Sequence, residues 1–142
     1  MTNLPITMPA IRKLRDAPGL DWCPEIAIPE IGPREVLVAV AHAGICGTDR
    51  HIYEWDPWSR SRVKVGITTG HEFVGKVIQV GAAVTRATVG DRVSAEGHVG
   101  YGTDRLQVDP IITHVIEMED YEKGFKMMQS GEAIKVIMKI PQ

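Results

Sequence analysis

Apolar positions along this chain fall in short runs punctuated by glycine and proline. Ile11 to Leu14 and Leu20 to Glu25 predict two short strands, and Asp16-Ala17-Pro18-Gly19 between them carries the turn residues of a hairpin. Ile28 to Pro33 is broken by proline and predicts a connection. Glu35 to Ala43 (EVLVAVAHA) is apolar on successive positions, the pattern of a strand buried on both faces. Thr48 or Asp49 is placed to cap a helix that runs to about Glu54, where Trp55-Asp56-Pro57-Trp58 breaks it. Ser59 to Val65 carries Arg60, Arg62 and Lys64 and predicts a solvated basic loop. Phe73 to Val80 and Val89 to Ala95 predict further strands, with turns at Gly81 and Gly90-Asp91.

After Gly100 the pattern changes. Ile111-Ile112 predicts a short strand. Glu119 or Asp120 opens a helix to about Gln129, with Tyr121, Phe125 and Met128 on one face. Met127 and Met128 read as core, and Gly131 as the C-terminal cap. Ile134 to Ile140 (IKVIMKI) alternates apolar residues with lysine, which predicts a half-exposed closing strand. The expected fold class is mainly β with short helices (α+β), a small and partly open β-barrel.

Composition narrows the function classes. The chain has 142 residues, 44 % of them apolar and 24 % charged, as in a soluble globular domain. A net charge of −2 gives no electrostatic case for nucleic acid or an anionic membrane. No apolar stretch approaches the roughly 20 residues of a membrane span, and the N-terminal residues lack the apolar centre of a signal peptide. Two cysteines, Cys23 and Cys46, do not make a disulfide framework, so a cytoplasmic location is expected. Cys23 reads as structural, and His42, within the strongest strand, as a packed or rim histidine.

The candidate chemistry is concentrated in Gly44-Ile45-Cys46-Gly47-Thr48-Asp49-Arg50-His51 and in Gly70-His71-Glu72. Thiol sulfur and imidazole nitrogen together suit Zn²⁺, and a carboxylate oxygen is an acceptable further donor. A lone cysteine or histidine is more often core or hydrogen-bonded structure. The spacing is more specific than either residue. Cys46-Gly47-Thr48-Asp49-Arg50-His51 is followed by Gly70-His71-Glu72, Gly75, Gly81 and Val84, and then by Gly90-Asp91-Arg92-Val93.

That combination resembles the zinc-dependent medium-chain dehydrogenases. The run from Cys46 to Ser59, with Ala95-Glu96-Gly97-His98, resembles their L-threonine 3-dehydrogenase branch. The resemblance implies a GroES-like catalytic domain, with Cys46 and His71 as ligands of one zinc and Glu72 binding directly or standing just outside. It implies that Thr48 hydrogen-bonds the hydroxyl of a small alcohol or amino-alcohol substrate, that His51 is the next relay member toward solvent, and that His98 lies near the substrate. Hydride would pass to NAD⁺.

Two parts of that family's pattern are not found. No cysteine follows Cys46, so the structural-zinc lobe is not expected. Only 42 residues follow Gly100, too few for a Rossmann domain, and Gly100-Tyr101-Gly102 lacks the third glycine of a dinucleotide loop. The expected organisation is therefore one GroES-like catalytic domain over 1–142. It comprises an N-terminal part over 1–99, a join near 99–105 and a return to the barrel over 106–142. Such a chain is expected to bind zinc but to be redox-inactive on its own. The competing reading is a GroES-like metal-binding or oligomer-forming module without enzymatic activity. Homo-oligomers are expected where the missing domain would leave apolar surface uncovered.

Overall fold

The structure is a computed structural model that describes residues 6–94 and 112–141. His98, the Gly100-Tyr101-Gly102 pattern and the join near 99–105 lie outside the described residues.

Two antiparallel strands open the fold, β1 (Thr7–Arg12) and β2 (Asp21–Ala27). The hairpin forms as its turn residues predict, but β1 starts and ends earlier than the Ile11–Leu14 pattern indicates. Lys13 is the reason. Its side chain is fully buried, and its ammonium donates to the carbonyls of Ala17 and Gly19 and lies 4.1 Å from the centre of the Trp55 ring. The segment from Lys13 to Gly19 thus wraps around its own lysine instead of extending the ladder. Burial is the main cause that lowers the Lys13 pKa from its ordinary value, and Arg15 adds to it.

Among the described residues the second sheet has five strands in the order β5-β4-β3-β7-β6. Its centre is β3 (Val36–Ile45), flanked antiparallel by β4 (Glu72–Val80) and β7 (Lys135–Lys139). β5 (Arg92–Ser94) pairs with β4 at one edge, and β6 (Ile112–Glu117) runs parallel to β7 at the other. A parallel pair needs a crossover. A 3₁₀ turn (Met118–Asp120) and α3 (Tyr121–Ser130) provide it. The two sheets do not close. Among the described residues a single isolated bridge, Arg12 to Thr68, joins β1 to the loop before β4, and the barrel is open as expected.

Between the strands lie α1 (Gly47–Glu54) and α2 (Pro57–Arg62). The second was expected to be a basic loop. Asp56 caps it through a hydrogen bond from the Ser59 N–H at 2.8 Å, and Pro57 occupies the first turn. The residues that break α1 therefore start α2. Trp55 turns the chain between them with a φ of 55°, the left-handed region.

One apolar core holds these layers together. Ile45 from β3, Ile52 from α1, Phe125 from α3 and Val136 from β7 are all buried in it. Phe125 stacks on Tyr53 with ring centres 4.6 Å apart, and the Tyr121 hydroxyl donates to the Leu20 carbonyl at 3.1 Å. Burying such a side chain stabilises the fold by about 1.5–3 kcal/mol. Gly124 makes this packing possible, because a Cβ there would meet Ile116, Ile45 and Val136 at 2.8, 2.9 and 3.1 Å. Among the described residues no helix is long and apolar enough to cross a membrane.

Candidate metal centre

The pairing of β3 with β4 brings the two motif loops together. β3 ends at Ile45, and Cys46 follows as the N-cap of α1. His71 immediately precedes β4, after Gly70 at a φ of 92°. Gly44 pairs with Glu72 across the ladder, so Cys46 and His71 leave neighbouring strand ends on the same side. The Cys46 Sγ lies 3.2 Å from His71 Nε2.

A third group faces this pair. Asp49 sits one turn into α1, and its carboxylate accepts the Cys46 N–H through Oδ2 at 3.1 Å. Its other oxygen, Oδ1, is 3.8 Å from His71 Nδ1. The residue is 3 % exposed, and among the described residues Oδ1 has no hydrogen-bond partner. An unpaired buried carboxylate oxygen costs free energy unless a cation or donor meets it. One sulfur, one nitrogen and one oxygen from Cys46, His71 and Asp49 all lie within 4.8 Å of one another. Sulfur and nitrogen ligands of a tetrahedral zinc are separated by about 3.5 Å on ordinary bond lengths. The donor set therefore fits Zn²⁺ in chemistry and in spacing. A carboxylate behind a ligating imidazole is also the usual outer support of such a site.

Burial pushes the Cys46 thiol above its ordinary range, and the nearby Asp49 charge acts in the same direction. The Asp49 backbone N–H and the Thr48 hydroxyl oppose it by hydrogen-bonding the sulfur.

Glu72 is engaged elsewhere. Its carboxylate forms an ion pair with Lys135 of β7, across the central strand. This contact needs Gly44, since a Cβ there would come within 2.8 Å of Glu72 Oε2 and 3.1 Å of Lys135 Cε. His51, on the exposed side of α1, contacts Asp56 Oδ2 through Nδ1 at 2.6 Å, and its ring centre is 5.6 Å from that of Trp58. The sequence pattern gave Asp49 only a capping role and gave Asp56 only a part in a helix break. The signal for Asp49 was its spacing: three residues beyond Cys46, at helical register, a side chain returns to the same end of the helix.

Comparison with known proteins agrees with this geometry. Residues 32–112 match the family model of the alcohol dehydrogenase GroES-like domain. The chain belongs to that family. Relatives of this GroES-like chain include the L-threonine 3-dehydrogenase of Symbiobacterium thermophilum, 58 % identical over 93 residues, or 66 % of this chain and 26 % of that protein. The L-threonine 3-dehydrogenase of Chelativorans sp. is 51 % identical over 102 residues, covering 72 % of this chain and 28 % of the relative. Among solved structures, 2R,3R-butanediol dehydrogenase from Bacillus subtilis superposes with a TM-score of 0.51 at 32 % identity, over 61 % of this chain and 27 % of the other. The zinc-dependent alcohol dehydrogenase 2 of Streptococcus pneumonia, in its apo form, superposes with a TM-score of 0.53 at 31 % identity, over 61 % and 24 %. The GroES-like chain thus spans about a quarter of the length of the dehydrogenases it matches.

Proposed function

We propose that this chain is the zinc-holding, substrate-side part of an L-threonine 3-dehydrogenase-like alcohol dehydrogenase. The observation that carries the reading is the 3.2 Å approach of Cys46 Sγ to His71 Nε2 beside the buried Oδ1 of Asp49, which has no hydrogen-bond partner among the described residues. Cys46 and His71 are the ligands of one zinc, and Asp49 is the carboxylate that supports them. Glu72 stands just outside, held by Lys135. Zinc bound there supplies Lewis acidity toward the oxygen of an alcohol. Thr48 then hydrogen-bonds the hydroxyl of the substrate, L-threonine in this reading. His51 lies three residues further along the same helix and carries the proton on toward solvent. The resemblance alone assigns His98, outside the described residues, to the substrate side.

The chain on its own is proposed not to reduce NAD⁺ at a useful rate. The strand–helix–strand unit formed by β6, α3 and β7 has no glycine turn before its helix, and Glu119, Asp120 and Glu122 stand at the helix start. Those charges repel a pyrophosphate where a dinucleotide-binding helix attracts one. A hydride acceptor that is not held in place forfeits effective molarities of about 10⁵ M or more, roughly 7 kcal/mol and five decades in rate.

Metal analysis tests the central point. At most one zinc per chain is expected, strongly reduced by Cys46→Ala and by His71→Ala. Two tightly held zincs, or unchanged zinc in Cys46→Ala, would overturn the assignment. NADH formation with saturating L-threonine, at a rate typical of dehydrogenases and abolished by Cys46→Ala, would overturn the claim that the chain alone is inactive.

A further inference from the structure

The two oxygens of Asp56 do different things. Oδ1 accepts the Ser59 N–H at 2.8 Å and so caps α2. Oδ2 meets His51 Nδ1 at 2.6 Å. The cap is firmly held, because Ser59 is fully buried and its hydroxyl donates back to the Asp56 carbonyl at 3.0 Å. A carboxylate anchored in this way has one oxygen left, and it points at the imidazole. The Ser59 N–H, followed by His51, holds the Asp56 carboxyl below its ordinary range, so it is an acceptor at neutral pH. Trp58, two residues on in α2, tilts against the His51 ring at 5.6 Å. The ring is thus oriented from α2, although it belongs to α1.

We propose that Asp56 is a positioning residue: its carboxylate fixes neutral His51 in the tautomer with the proton on Nδ1, which leaves Nε2 free to accept a proton from the substrate side. This rests on the reading of His51 as a relay member. The chemistry is general, since the hydrogen bond made by one imidazole nitrogen sets the state of the other. A merely decorative surface ion pair would leave the tautomer unselected. An imidazole free in water favours the opposite form, with the proton on Nε2, so the two possibilities give opposite spectra.

The test uses the full ¹⁵N-labelled chain, freed of metal, at about pH 8.5, above the ordinary imidazole range. Long-range ¹H–¹⁵N correlation of the ring atoms reads the tautomer directly, and His51→Gln assigns the signal among the five histidines. The parent is expected to show His51 with the proton on Nδ1. Asp56→Asn retains the cap, because asparagine caps as well as aspartate. It presents an NH₂ to His51, so the pattern is expected to invert to the Nε2–H form. In Asp56→Ser, which caps but is too short to reach the ring, the free-imidazole pattern is expected. A parent spectrum already in the Nε2–H form overturns the proposal, even if neither variant folds. So does an Nδ1–H signal that survives both substitutions. Because no metal is present, the result is separable from the zinc assignment: a chain that refuses zinc but keeps the Nδ1–H form would sink the metal reading alone.

Discussion

The distance between the two motif loops is set by how closely β3 and β4 pack, and at Gly75 the two strands approach too closely for a side chain. A Cβ on Gly75 would lie 2.3 Å from the Ala39 carbonyl oxygen, 2.6 Å from Val38 Cγ1 and 2.9 Å from the Ala39 carbonyl carbon. Two of those atoms are backbone, so no side-chain rotation relieves the contact. Ordinary contact begins at 3.4 Å, which requires a displacement of 3.4 − 2.3 = 1.1 Å between the paired strands. Overpacking of this kind costs about 1–3 kcal/mol, and each weakened ladder hydrogen bond adds roughly 1 kcal/mol. A total near 3 kcal/mol is expected for Gly75→Ala. Unfolding entropy of about 2.1 cal/mol/K per residue gives a chain of this size roughly 0.3 kcal/mol/K, so the melting temperature should fall by about 10 °C. The same displacement carried to the strand ends takes Cys46 Sγ and His71 Nε2 from 3.2 Å to about 3.2 + 1.1 = 4.3 Å, well past the roughly 3.5 Å that tetrahedral zinc sets between sulfur and nitrogen, so zinc uptake should fall with it. Gly47→Ala is the control. Nothing lies within 4 Å of its added Cβ, and it sits in the first turn of α1, where alanine is favoured over glycine by up to about 1 kcal/mol. Differential scanning calorimetry with parallel zinc analysis checks both variants. If Gly75→Ala melts within about 3 °C of the parent, the shift of 1 kcal/mol, and keeps its zinc, the strand spacing does not set the site.

Lys13→Met should destabilise the fold by about 2–3 kcal/mol in urea titrations, because the carbonyls of Ala17 and Gly19 lose a charged donor; an unchanged midpoint would show that the lysine is dispensable. Gly131→Ala places an L side chain at a φ of 80° in the cap of α3 and should cost about 1–2 kcal/mol by the same measurement; no loss would mean that the cap rearranges freely. The raised Cys46 thiol gives two pH effects of opposite sense. Its folded pKa lies above the unfolded one, so its contribution to the metal-free fold is complete below the ordinary thiol value and is lost as pH rises through the folded value. Zinc needs the thiolate, so competition titrations should show affinity rising by up to about tenfold per pH unit above neutrality; a flat profile would remove Cys46 from the ligand set.

Several elements were plain in the sequence for physical reasons that the structure makes explicit. β3 is apolar on consecutive positions because it is the central strand, and α3 carries its cap at Gly131 where periodicity ends. The sequence pattern misses α2 because Pro57 reads as a stop. After an aspartate, proline is equally a start, and only the Ser59 N–H on Asp56 decides between the two. β6 extends through Glu117, well beyond the Ile111-Ile112 signal, because an edge strand tolerates Thr113 and His114 where a central one would not. Cys46 and His71 meet as their spacing suggests. The engagement of Glu72 by Lys135 was invisible, since it depends on a gap at Gly44 between two strands far apart in sequence.

The place of β7 has a consequence for how the molecule comes into being. Ile45 pairs with Val136, so the central strand waits for a partner 136 − 45 = 91 residues downstream. At translation rates of about 5–20 residues per second, that interval is roughly 5–18 s. During it the hairpin of β3 and β4 can form, but one side of β3 is left as an unpaired apolar border, open to any other extended chain. Such long-range pairing is slow to nucleate. A ribosome-bound intermediate arrested before β7 emerges should therefore be the species that chaperones hold, and yield on expression should respond to their level more than to the stability of the finished fold.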